Sequence, residues 1–487
     1  MGRLTPVIPF GQRIRGGAMS FHSFAFVFLF FPLCMLGFHM VKKTGKASYA
    51  KAFLVLMSLW FYGFVSPVNL PVLLVSMVVN FGIVFLMKKA EAKKPYLIAG
   101  LLLSVGTLFF FKYTGRLFVP LSISFFTFSQ IAFLVENYRG TLQKSEWLDY
   151  GFYVTFFPKM IQGPIVLPKE LEGAVEEVLE QPFDWEKFYR SLLLFIMGLA
   201  KKVLLADTLG AAVAFGYGNP AALSSKEAWV LILAYTLQLY FDFSGYSDMA
   251  MGCAGMLGFS LPVNFSSPYK AANIIEFWKG WHMTLTRFFT QYVYIPLGGN
   301  RKGLARTCLN ILFVFFISGI WHGAGVTFIV WGLMHGVAYV VCRLFDKAKK
   351  PTGKILRVCG VLLTFLYVNI AWVFFRAPSV SDAVSVLKKA FTFSAGKIGK
   401  NFAQCFQLDE FWYVIKVLGM DSLPFAHLIL LFFMLAIALL LVFWGKPAHV
   451  ICEKIKPGFF VTVIAAVLFV WCVVSLGQVS SFLYVNF

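Results

Sequence analysis

His322 is the residue best suited to chemistry in this 487-residue sequence. It ends an apolar run that begins after Arg306, and Gly323 and Gly325 follow directly. Glycine lets a backbone turn sharply or approach a ligand closely. A helix from Arg306 to His322 rises about 24 Å, most of the way through an apolar bilayer core of about 30 Å. A neutral imidazole at that depth can serve as a general base near neutral pH. The plain alternative is a histidine hydrogen-bonded at a helix end. His282 comes four residues after Trp278 and one after Trp281, which puts Trp278 and His282 on one helical face. Its reading is divided between an orienting role and direct chemistry. His335 would lie about 220° around a continuous helix from His322, so an adjacent pair is not expected. His22, His39, His427 and His449 sit near the ends of apolar runs and read as interfacial.

Ionisable groups at membrane depth are costly and therefore functional suspects. The run Gln238 to Asp248 sets Asp242, Ser244, Tyr246 and Asp248 in apolar surroundings. Two readings stand: a proton relay or ion site, or a hydrogen-bonded structural motif in a broken helix, which is favoured. Tyr269, Trp321 and Arg301 lie in neighbouring polar stretches. No metal site is expected, because there is no His-x-x-x-His and the eight cysteines are scattered without a Cys-x-x-Cys pair. Neither a glycine-rich phosphate loop nor a Gly-x-Ser-x-Gly elbow is present, which argues against an ATP-driven pump or a serine hydrolase.

The elements that carry these residues must be membrane helices. Hydrophobic residues make up 59% of the chain, charged residues only 13%, and mean hydropathy is +0.76. A soluble protein of this size cannot bury so much apolar surface. The net charge of +21 does not point to nucleic acid, because the basic residues cluster in short loops between apolar runs. Apolar segments at 20–40, 52–67, 69–87, 97–112, 118–135, 190–206, 226–241, 307–321, 324–342, 357–375, 425–444 and 459–482 predict an all-α polytopic protein of about 11–12 spans. Segments 150–166 and 246–295 read as re-entrant or broken helices, which are tolerated where protein or a wet cavity covers the backbone.

Basic loops at 41–51, 88–96, 301–306 and 343–356 are expected in the cytoplasm, with the N-terminus outside. Residues 1–18 lack the apolar core of a signal peptide and read as a mobile extension, with Met19 a possible start; 19–487 read as one integral-membrane domain. Within it, 150–380 hold the polar motifs, 377–423 an extramembrane segment and 424–487 the C-terminal helices.

The stretches Phe157-Pro158-Lys159-Met160-Ile161-Gln162-Gly163-Pro164, Gly198 to Asp207, and Phe241-Asp242-Phe243-Ser244-Gly245-Tyr246-Ser247-Asp248 have a familiar order. Asn264 to Tyr269, Phe277-Trp278-Lys279-Gly280-Trp281-His282, Tyr294 to Arg301, Trp321-His322-Gly323 and Trp372 to Arg376 continue it. In that order and spacing, from about residue 20 to 380, the chain resembles the membrane-bound O-acyltransferase family, in particular its bacterial alginate O-acetyltransferase branch.

The resemblance implies a helical bundle around a tunnel that joins a cytoplasmic donor to an outside acceptor. It makes His322 the family's essential histidine and His282 its second. It implies no tightly bound cofactor, and an acyl thioester, acetyl-CoA or an acyl carrier, as donor substrate. The expected acceptor is a cell-envelope polysaccharide or an exported acetyl-relay protein, and the expected location is the bacterial cytoplasmic membrane. Trp278, Trp281, Trp321, Asp242, Ser244, Tyr246, Asp248, Tyr269 and Arg301 are expected to shape the site or bind substrate. Two rivals remain: a teichoic acid D-alanyl transferase of the same family, and an ion or solute transporter with Asp242 and Asp248 in its pathway.

Overall fold

The computed structural model describes residues 19–114, 118–345, 353–392, 396–423, 425–478 and 482–483, so the expected N-terminal extension lies outside the described residues. Among these residues every regular element is helical. Each of the twelve expected apolar segments corresponds to a helix. They are α1 (Phe26–Lys42), α2 (Ala47–Val65), α3 (Leu70–Lys89), α4 (Lys93–Tyr113), α5 (Ile123–Arg139), α6 (Trp185–Ala200) and α7 (Ser225–Met256). The series continues with α8 (Leu304–His322), α9 (Val326–Phe345), α10 (Lys354–Arg376), α11 (Ala426–Phe443) and α12 (Phe459–Val474). Among the described residues, seven helices are long and apolar enough to cross a membrane, those numbered α2, α3, α4, α8, α9, α10 and α11 here, fewer than the roughly 11–12 spans expected, while α1 and α12 are shorter.

Composition explains which helices face lipid and which stay inside. α3 and α4 are apolar all round and expose Val75, Val78, Phe85, Leu102 and Phe109, as helices do against hydrocarbon. α5 and α7 carry polar residues among apolar ones and are buried along most of their length. The polar groups therefore meet protein partners instead of lipid. α7 is 32 residues long and starts at a capping box, in which Ser224 accepts from the Glu227 amide and Glu227 accepts from the Ser224 amide. It corrects one expectation: residues 246–256 are not irregular but continue this helix. The cause is close packing of α6 on α7, where a Cβ on Gly198 would stand 2.6 Å from the Gly245 carbonyl oxygen. Small residues let the two backbones approach along a buried seam.

Segment 150–166 is broken as expected, into Trp147–Thr155 and Phe157–Met160. Beyond α7 the chain forms short pieces, Ile274–Gly280 and Met283–Phe289 among them, before α8 begins. α8 and α9 make a tight hairpin. A Cβ on Gly332 would lie 2.5 Å from the Phe315 carbonyl oxygen, so only glycine lets the two helices cross there.

Candidate active site

His322 is the last residue of α8 and only 3% exposed. Its Nδ1 lies 2.6 Å from the Ser318 backbone oxygen, one turn back. A carbonyl only accepts, so Nδ1 carries the proton and Nε2 presents the lone pair. The sequence therefore puts a basic nitrogen at the buried end of an apolar helix.

His282 is buried too, at 1% exposure, but not on the helical face expected for it. The helix carrying Trp278 stops at Gly280, Trp281 is extended, and His282 has φ +44°. That left-handed conformation is uncommon for a non-glycine residue and is held by what surrounds it. Nδ1 of His282 lies 3.0 Å from Asn264 Oδ1. The same oxygen accepts from the Thr284 amide at 3.3 Å and the Thr284 hydroxyl at 2.9 Å. A backbone amide can only donate, which identifies the Asn264 atom as oxygen and gives His282 the Nδ1–H tautomer as well.

An aromatic cage closes around His322. Ring centroids of Trp321, Trp331 and Phe375 lie 4.6, 4.8 and 5.3 Å from its own. Trp372 stacks on Trp331 at 5.6 Å, and Trp281 packs against Trp372 at 4.9 Å. His335 joins this cage one tryptophan ring away, 5.2 Å from Trp331. The expectation that set it apart assumed a continuous helix, whereas the chain reverses after His322 and α9 returns beside α8. Trp278 Nε1 donates to His335 Nδ1 at 3.3 Å, so His335 holds its proton on Nε2, the opposite tautomer from the other two.

The remaining expected residues divide. Tyr269 is buried, its hydroxyl donates to the Thr236 carbonyl at 2.9 Å, and its ring lies 5.9 Å from that of Trp281. Ser244 and Tyr246 are buried on α7. Asp242 and Asp248 are engaged in ion pairs: Lys202 Nζ lies 2.8 Å from Asp207 and 2.9 Å from Asp242, and Lys201 Nζ lies 2.5 Å from Asp248. The structural reading of these carboxylates is the one this geometry favours. Arg301 is exposed, and among the described residues no hydrogen bond or ion pair links it to the histidines. His22 is buried against Phe482 at 4.5 Å. Among the described residues no group of three or more His, Cys, Asp or Glu side chains is placed to hold a metal.

Some residues at this centre escaped the sequence. Lys112 and Tyr113, at the end of α4, reach the backbone carbonyls of Trp321 and Ile320, and Tyr113 also reaches that of Gly323 at 3.1 Å. A lysine closing an apolar span was the available signal for Lys112. Asn264 and Trp372 lay inside recognised motifs without a role attached.

Fold and site together define a multi-pass membrane protein with a buried histidine centre caged by indoles. The chain belongs to the membrane-bound O-acyltransferase family, whose model matches residues 25–377, and it is accordingly an acyltransferase. It is 38% identical to a peptidoglycan O-acetyltransferase of Helicobacter pylori, over 77% of this chain and 80% of that protein. It is 33% identical to a probable alginate O-acetylase of Pseudomonas aeruginosa, over 85% of this chain and 81% of the relative. A teichoic acid D-alanyltransferase of Bacillus subtilis is 26% identical over 51% of this chain and 66% of its own length.

Proposed function

We propose that this acyltransferase moves an acetyl group from a cytoplasmic thioester to a hydroxyl of an extracytoplasmic envelope polysaccharide, or to an exported relay partner. The donor is acetyl-CoA or an acyl carrier's phosphopantetheine, and the protein sits in the bacterial cytoplasmic membrane. His322 is the general base. The observation that carries this reading is the Ser318 carbonyl on Nδ1, which leaves Nε2 as the basic nitrogen of a deeply placed imidazole.

In the reaction the acceptor oxygen attacks the thioester carbonyl carbon while its proton passes to Nε2. The tetrahedral intermediate then collapses, the carbon–sulfur bond breaks, and the thiolate takes the proton back from Nε2. The base is thus restored within one cycle. The indoles around His322 exclude water, which protects the thioester from hydrolysis. Asn264 keeps His282 in one tautomer, with Nε2 as its basic nitrogen. Acetyl transfer is favoured over D-alanylation because the O-acetyl relatives match at higher identity and over more of the chain. A transport role is disfavoured, since both carboxylates offered for an ion pathway are engaged by Lys201 and Lys202.

The test is acetyl transfer by purified protein in proteoliposomes, with labelled acetyl-CoA on the face bearing Lys302 and polysaccharide fragments on the other. D-Alanyl carrier protein as donor is the parallel arm. Label in the polysaccharide from acetyl-CoA supports the reading; label only from the D-alanyl carrier overturns it.

A further inference from the structure

We propose that Lys112 and Tyr113 are positioning residues for His322, a clamp thrown across from α4 onto the turn that carries the base. The inference rests on the acyl-transfer reading above.

A helix leaves its last carbonyls without intrahelical donors, and those that are buried need partners from the protein. α8 ends in this predicament. Gly323 continues in extended backbone, and its amide returns to the Gly319 carbonyl only at 3.4 Å. No left-handed C-cap follows. The carbonyls of Ile320, Trp321 and Gly323 are met instead by two consecutive side chains some 200 positions earlier in the sequence, Tyr113 for the first and third and Lys112 for the second. A cation at this end also complements the negative pole of the helix.

The clamp acts from more than one direction. Lys112 Nζ lies 5.8 Å from the Trp321 ring centroid, and the same indole stacks on Phe128 of α5 at 4.9 Å with an interplanar angle of 14°. Trp321 is thereby held between α4 and α5 at its backbone and its ring. His322 takes its own orientation from the Ser318 carbonyl on the preceding turn. Any shift of that last turn therefore carries Nε2 with it. Elsewhere α4 packs on α3 and α5 and is mostly exposed along its outer face. No carboxylate within ion-pair distance accounts for Lys112 among the described residues, so its charge is directed at the end of α8 alone.

Lys112→Met keeps the apolar stem and removes the donor, and Lys112→Arg keeps a donor and the charge. Lys112→Met is expected to lower kcat by about 10²-fold, as a small displacement of a reacting group does. The donor KM should stay within about two-fold, the pattern of an interaction that matters to the transition state rather than to binding. Melting temperature should be unchanged and Lys112→Arg should recover most of the loss. Tyr113→Phe should act in the same direction and less. Hydrogen exchange at the amides of residues 322–326 supplies a readout that needs no reaction, and it should be faster in Lys112→Met. Wild-type kcat in Lys112→Met, or a loss that follows melting temperature and is not restored by arginine, would overturn the clamp, as would unchanged exchange. A wild-type chain that transfers nothing from any thioester, with exchange still faster in Lys112→Met, would support the clamp and overturn only the proposed reaction.

Discussion

His282 combines an imidazole fixed by Asn264 with a backbone angle of φ +44° that few side chains tolerate. These two properties separate under mutation. His282→Ala removes the ring and keeps the strain; His282→Gly removes the ring and relieves it. We expect both to lose most of their turnover, and the glycine variant to be the more stable by about 1 kcal/mol, the usual cost of left-handed backbone for an L-residue. Equal turnover in wild type and His282→Gly would show that the imidazole is not needed. The buried pairs make a different prediction. Lys202 is flanked by Asp207 and Asp242 at less than 3 Å and is almost wholly inaccessible. Lys202→Met should destabilise the protein by about 3–5 kcal/mol, because two carboxylates lose their ammonium in a low-dielectric interior. A variant as stable as wild type in thermal unfolding would contradict the structural reading of Asp242.

At the level of helices, hydropathy alone located every long apolar element, because a bilayer demands continuous apolar runs. It misjudged the end of α7, where Asp248 and its polar neighbours suggested a break; their partners on the preceding segment, Lys201 among them, are invisible to hydropathy. The place of His322 at the end of a long apolar helix was legible for the same reason the helices were, by counting residues from a basic loop. Helical periodicity kept His335 from pairing directly with His322, as found, but did not show that it would join the same cage through Trp331, because the reversal after His322 changes which faces meet. The Lys112 contact joins residues more than 200 apart, and no local pattern encodes it.

The acidic run that holds Glu170, Glu172, Glu176, Glu177, Glu180, Asp184 and Glu186 yields an element-scale prediction. Glu176, on the short helix Ala174–Glu180, binds Lys51 at 2.9 Å and Lys144 at 2.5 Å. Burial raises its carboxyl, but hydrogen bonds from Lys144 and Lys51 outweigh that and hold it down at about 2. A depressed carboxyl contributes stability that is complete above the ordinary glutamate range and is lost as pH falls through the folded value. Glu176→Gln should therefore melt below wild type at neutral pH, with a difference that narrows under the ordinary glutamate range and closes near 2. A pH-independent difference would contradict it.

At the scale of the whole molecule, the proposed chemistry sits between two faces. The basic loops 301–306 and 343–356 bracket the α8–α9 hairpin, and His322 lies at its opposite end. In a background freed of native cysteines, Gly325→Cys should react with an impermeant maleimide added outside intact cells, and Lys302→Cys only after permeabilisation. Strong labelling of the Lys302 position in intact cells would reverse the topology. Under the proposed function, such sidedness would carry an acyl group across with no free acylated product being flipped, the base at the turn doing the chemistry. The most direct test of that central claim is acetyl transfer from labelled acetyl-CoA by membranes containing equal amounts of wild type and His322→Ala, with melting temperatures measured alongside. The account predicts that His322→Ala folds, inserts and melts close to wild type while transfer is abolished. Near wild-type transfer by His322→Ala at equal protein would contradict it.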